Sequence, residues 1–84
     1  MIYEFYGDTC PHCKVMAPIV EKLSAETGVK VEVLEVWNSE ENLKKMEGFS
    51  KGRCMGVPFF YNDANDEFIC GATSEDKLRE FITK

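Results

Sequence analysis

Two cysteines two residues apart, Cys10-Pro11-His12-Cys13, stand between an apolar run and the first residues of a helical pattern. Ile2 to Tyr6 is apolar and aromatic apart from Glu4, and reads as a strand. Gly7-Asp8-Thr9 reads as a turn. Pro11 suits the first position of a helix, where its missing N–H costs nothing. Met16, Ile19, Val20 and Leu23 then recur at helical spacing up to Gly28, a natural terminator. The spacing predicts a strand running directly into a helix with Cys10 at the junction. Backbone N–H groups and the helix dipole there favour a thiolate. Such a pair can open and close a small disulfide ring, the chemistry of thiol–disulfide exchange.

The rest of the chain supplies the scaffold. Val29 to Trp37 reads as a second strand. Asn38 or Ser39 caps a second helix, with Glu40 and Glu41 in its first turn and Leu43 and Met46 facing inward. Pro18 is expected to kink the first helix. Gly48 to Gly56 reads as a loop, and Val57 to Tyr61 as a third strand containing Pro58. Asn62 to Asp66 is a turn cluster, so Glu67 to Cys70 folds back as a hairpin strand. Thr73-Ser74-Glu75-Asp76 starts a last helix with Leu78, Phe81 and Ile82 inside. The order is β-α-β-α-β-β-α: an α/β fold with a four-stranded mixed sheet and helices on both faces. At 84 residues the chain makes one domain, 1–84.

Composition narrows the partners. The net charge of −5 argues against nucleic acid and anionic membranes. No apolar run approaches the roughly 18 residues of a membrane span. The N-terminus lacks a basic n-region and a cleavage site, so the cytoplasm is expected, with a periplasmic or secreted protein stripped of its signal as the alternative. A monomer is expected. No second CxxC or HxxxH accompanies the motif, so a zinc-binding module is the weaker reading and no metal or cofactor is expected.

Three stations together resemble the thioredoxin fold, in its small archaeal thioredoxin/glutaredoxin-like form. Cys13-Lys14-Val15-Met16-Ala17-Pro18-Ile19 is similar to the stretch that follows the family's motif. Gly56-Val57-Pro58 resembles its cis-proline loop, and Ile69-Cys70-Gly71-Ala72 with Leu78 and Phe81-Ile82 its last strand and helix. Glu4 falls where thioredoxins carry a buried aspartate. The resemblance implies an enzyme that reduces protein disulfides, recharged by a thioredoxin reductase or by glutathione. It implies Val57, Pro58 and Gly71 beside the bound peptide. Two features depart from the pattern: Thr9 stands where the family has tryptophan, and the Pro11-His12 dipeptide of CPHC resembles that of the DsbA oxidases. A glutathione-dependent, glutaredoxin-like enzyme is the second reading.

Each site residue then has an expected role. Cys10 is the nucleophile and the more exposed thiol; Cys13, one turn in, is shielded and harder to ionise. His12, if protonated, stabilises the Cys10 thiolate by charge and as a hydrogen-bond donor. Glu4 either, as a buried carboxyl, shuttles the proton of Cys13, or is a carboxylate at the sheet's margin reached by water. Cys54 and Cys70 are read as small buried apolar residues, or as a pair, or as a regulatory disulfide. Lys51 and Arg53 are either solvated or hold an anion such as a glutathione carboxylate. Trp37 and Phe59-Phe60-Tyr61 are assigned to the core.

Overall fold

A computed structural model describes residues 1–84. The elements run β1 (Ile2–Tyr6), α1 (Pro11–Thr27), β2 (Val31–Glu35), α2 (Glu40–Ser50), β3 (Phe59–Asn62), β4 (Glu67–Cys70) and α3 (Glu75–Ile82). The sheet order is β2-β1-β3-β4. β1 pairs parallel with β2 and antiparallel with β3, and β3 pairs antiparallel with β4. The expected element order and the mixed sheet are therefore present.

Strand alternation sorts side chains onto two faces. Ile2 and Phe60 face α1 and α3, where Met16, Val20, Leu23, Leu78, Phe81 and Ile82 close one core. Tyr3, Phe5, Phe59 and Tyr61 face α2, where Met46, Val36 and Cys54 close the other. Helices lie on both faces because the central strands are apolar on both. Burying these two sets drives the collapse, at about 25 cal/mol for each Å² of apolar surface removed from water. Exposed pairs between α1 and α3, Arg79 to Glu26 at 2.7 Å and Lys22 to Glu75 at 3.1 Å, add little beside it.

Local chemistry sets the helix ends. Gly28 closes α1 in the left-handed conformation at φ 75° and donates to the Ser24 carbonyl. Ser39 caps α2 through the Asn42 amide, and Ser74 caps α3 through the Lys77 amide.

Three boundaries differ from expectation. β2 is shorter than Val29 to Trp37, because Glu35 turns the chain: its carboxylate accepts from the amides of Trp37 and Asn38 at 3.0 and 2.8 Å. α2 continues through Gly48 to Ser50 instead of stopping there. Phe49 makes that extension worthwhile, with its ring 4.4 Å from Tyr61 and 5.0 Å from Tyr3. β3 begins at Phe59, not Val57, because Pro58 has no N–H for the ladder.

Candidate active site

The motif and the proline loop meet at one end of the sheet. β1 and β3 are the central strands and run antiparallel, so the chain leaving Tyr6 and the chain entering Phe59 lie side by side. The register pairs Phe5 with Phe59. The first segment reaches Cys10; the second arrives through a cis peptide bond between Val57 and Pro58.

Cys10 is the N-cap of α1. Its backbone is extended, Pro11 follows as the first helical residue, and its sulfur accepts the Cys13 amide at 3.2 Å. The Cys10 thiol in turn faces the Val57 carbonyl at 3.8 Å. A sulfur that caps a helix receives N–H donors from the end where the dipole is positive, which suits negative charge on it.

Cys10 is not the more exposed thiol. Both are buried, Cys10 at 4% and Cys13 at 3% relative exposure. The Val57 carbonyl and the Pro58 loop stand over Cys10, a tertiary contact that motif spacing alone does not encode. Burial pushes the Cys13 thiol up to about 12, with the Cys10 hydrogen bond and the charges of Cys10 and Glu4 adding to it and the Gly7 backbone opposing.

Glu4 lies at 2% exposure on the α1 face of β1, between Ile2 and Tyr6. Burial raises its carboxyl to about 7. His12 and Pro11 are exposed on the first turn of α1. Gly71, at φ 93°, donates its amide to the Pro58 carbonyl at 2.8 Å, tying the end of β4 to the proline loop. The structure thus gathers Cys10, Cys13, Val57, Pro58 and Gly71 at one end of the sheet, with Glu4 further in, at the middle of β1, where its charge still acts on Cys13.

Two residues with no expected place at the site organise the turn before the motif. The Glu35 carboxylate accepts the Asp8 amide at 3.0 Å as well as those of Trp37 and Asn38. Burial works against its charge, but the three amides hold its carboxyl below the usual range. Trp37 is not a core residue: it is 54% exposed, and its indole covers Gly7, where any β-carbon would collide with the ring. Nothing in the run Glu35-Val36-Trp37-Asn38 marks Glu35 as a strand end, so its role could not be read from the sequence.

Lys51 and Arg53 are engaged internally. Arg53 forms a two-pronged pair with Asp66 at 3.1 Å on each nitrogen and lies 4.5 Å over the Phe68 ring, and Lys51 approaches the same carboxylate at 3.8 Å. Cys54 and Cys70 are joined as a disulfide. Of the readings left open for them, pairing is the one realised, and only Cys54 is buried.

A pair of free cysteines at a helix N-terminus, facing a carbonyl beside a cis-proline, is the arrangement of a thiol–disulfide oxidoreductase. The chain belongs to the thioredoxin family, whose profile matches residues 1–84. It is 27% identical over 84 residues to the thioredoxin of Rickettsia typhi, covering all of this chain and 79% of that protein. It is 32% identical over 81 residues to the thioredoxin of Buchnera aphidicola subsp. Acyrthosiphon pisum, covering 96% of this chain and 74% of that one. Among solved structures it superposes on a mutant thioredoxin from Halobacterium salinarum with a TM-score of 0.76 at 27% identity, over 96% of this chain and 69% of that chain. Membership implies disulfide-containing proteins as substrates and a reductase as partner in general terms. No helix is long and apolar enough to cross a membrane.

Proposed function

We propose that residues 1–84 act as one domain, a monomeric reductant of protein disulfides in which Cys10 attacks and Cys13 resolves. The observation that carries the assignment is the capping geometry, with the Cys13 amide 3.2 Å from the Cys10 sulfur. The Cys10 thiolate attacks one sulfur of a target disulfide. A mixed disulfide forms, and the target's other sulfur leaves as a thiolate and takes up a proton. Cys13 then gives up its proton and attacks the Cys10 sulfur, so the target's first sulfur leaves. Two electrons pass to the target and the 10–13 disulfide remains.

The neighbouring groups serve this sequence. A Cys13 thiol pushed up to about 12 does not ionise unaided near neutrality, and Glu4 at about 7 is a base of suitable strength there. The Cys10 S–H donates to the Val57 carbonyl, so ionisation removes the donor and frees that carbonyl for a substrate amide. An extended peptide would then pair with Val57 as an added strand, alongside Pro58 and Gly71. Pro11 presets the first helical turn, and exposed His12 supplies positive charge to the thiolate when protonated.

Because Arg53 and Lys51 already hold Asp66, the basic pair that a glutathione carboxylate would use is occupied. This favours a protein dithiol, a thioredoxin reductase, over glutathione as donor. A reducing compartment, the cytoplasm, suits that direction. The test is insulin reduction driven by either donor, with Cys10→Ser as control. Turnover with the reductase and none in the variant is expected; activity that survives the substitution overturns the assignment.

A further inference from the structure

The Cys54–Cys70 bridge takes no part in that chemistry. It joins residues 16 apart in sequence with 5.6 Å between their α-carbons. Cys70 ends the edge strand β4, opposite Phe59 and next to Gly71, so the bridge lies at the same end of the sheet as the motif. Its two halves are unequal: Cys54 is 4% exposed, whereas Cys70 is exposed.

Apart from the bridge, the segment is held by the packing of Cys54 and Val57 on the α2-facing core and by no backbone hydrogen bond. Residues 54–57 lie outside every helix and strand and make no backbone–backbone hydrogen bond. Before them stands Arg53, fixed to the carbonyls of Phe49 and Ser50 and to Asp66. After them stands Pro58, fixed by the Gly71 amide. In between lies Val57, whose carbonyl faces Cys10. A cleft of about 190 Å³ lies beside the segment, walled by Leu43, Met46, Cys54 and Met55.

We propose that Cys54–Cys70 is a second redox centre, a reducible bridge that holds the 54–57 segment against Cys10 and whose opening by an external dithiol weakens capture of protein disulfides. The effect on capture rests on the reading of Val57 as a substrate contact; the reducibility does not. A thiolate of the dithiol attacks the sulfur of Cys70, the accessible side. The Cys54–Cys70 bond breaks, a bond from the reductant to Cys70 forms, and Cys54 leaves as a thiolate that takes up a proton. The reductant's second thiolate closes on its first sulfur, releasing Cys70 as a thiolate that is protonated in turn. Two electrons move from the dithiol to the bridge, and the reductant becomes a disulfide.

The full-length chain carrying Cys10→Ser and Cys13→Ser isolates the bridge. It is equilibrated in buffers of reduced and oxidised dithiothreitol without denaturant, alkylated and weighed. A two-electron transition at residues 54 and 70, with Cys70 labelled first in a short pulse, is expected. A pair that stays closed until the protein is unfolded overturns the proposal, as does a pair found as free thiols in oxidising buffer. In an otherwise native chain, Cys70→Ser, with Cys54→Ala/Cys70→Ser as a control against mispairing, should lower kcat/KM for insulin by about tenfold through KM, on the scale of one pre-ordered contact. An unchanged KM overturns the control of capture. The two readings fail separately: loss of the bridge transition leaves the Cys10→Ser result standing, and insulin activity in Cys10→Ser leaves the transition standing.

Discussion

The indole of Trp37 occupies the space that a side chain at Gly7 would need, three residues before Cys10. Gly7 is therefore required by contact and not by its own backbone angle. Gly7→Ala is expected to cost about 1–3 kcal/mol, as overpacking does, and to push the ring into solvent. Trp37 is the only tryptophan, so its emission reports the change directly. A red shift in the variant is the expected result, and an unchanged spectrum contradicts the contact.

Removing Cys13, the proposed resolving thiol, should freeze the reaction halfway. With Cys13→Ser, the Cys10 sulfur still attacks, but nothing displaces the captured target. A covalent complex of one chain with one target, cleaved by dithiothreitol, is expected on non-reducing gels. The wild-type protein should show none at steady state. Alkylation in the native protein should also leave Cys13 unlabelled until the pH nears its value of about 12.

Glu4 makes stability depend on pH in a defined direction. Its carboxyl is raised from 4.5 to about 7 on folding, so the folded chain holds its proton more tightly than the unfolded chain. That contribution is whole below pH 4.5 and is lost as pH rises through about 7. Glu4→Gln removes the burden of a buried charge. The variant should gain about 3 kcal/mol over wild type at pH 8.5 and almost nothing at pH 4, at about 1.4 kcal/mol for each tenfold change in proton affinity. Denaturant melts at the two pH values measure it. The same variant should turn over insulin more slowly and accumulate the mixed disulfide, if Glu4 takes the Cys13 proton.

Asp66 has the opposite sign. The Arg53 guanidinium first, and the Tyr61 hydroxyl at 2.6 Å second, hold its carboxyl down from 3.8 to about 2. The stability it contributes is present above pH 3.8 and disappears as pH falls through about 2. Carboxyl chemical shifts should place its titration near that value, and Asp66→Asn should flatten the acid limb of the stability curve. An Asp66 that titrates like a free aspartate removes the anchor assigned to Arg53.

What could be read from the sequence was what local rules carry. Strand-then-helix periodicity located β1 and α1, Gly28 ended the helix, and the turn cluster after Tyr61 folded β4 back on β3. Cys10, Cys13 and Pro58 were legible because each occupies a position that few residue types can fill. Tertiary relations were not. Gly48 looked like a helix end, yet packing of Phe49 on Tyr61 outweighs the weak propensity of one glycine. Trp37 looked like core because large apolar residues are mostly buried, but its place is over Gly7. The burial of Cys10 depends on a carbonyl 47 residues away. The pairing of Cys54 with Cys70 depends on a sheet register that four cysteines in a row of letters do not reveal.

The Phe5–Phe59 pairing has a consequence for how the enzyme can fail. The two chain segments that deliver Cys10 and Pro58 both spring from the middle of the sheet, where each strand has a neighbour on either side. Amides in that ladder should be among the last to exchange with deuterium, since fraying begins at β2 and β4. The distance between the Cys10 sulfur and Pro58 is thus protected by the most persistent part of the molecule, and while the Cys54–Cys70 bridge stays closed heat or denaturant should abolish activity in step with global unfolding, not before it.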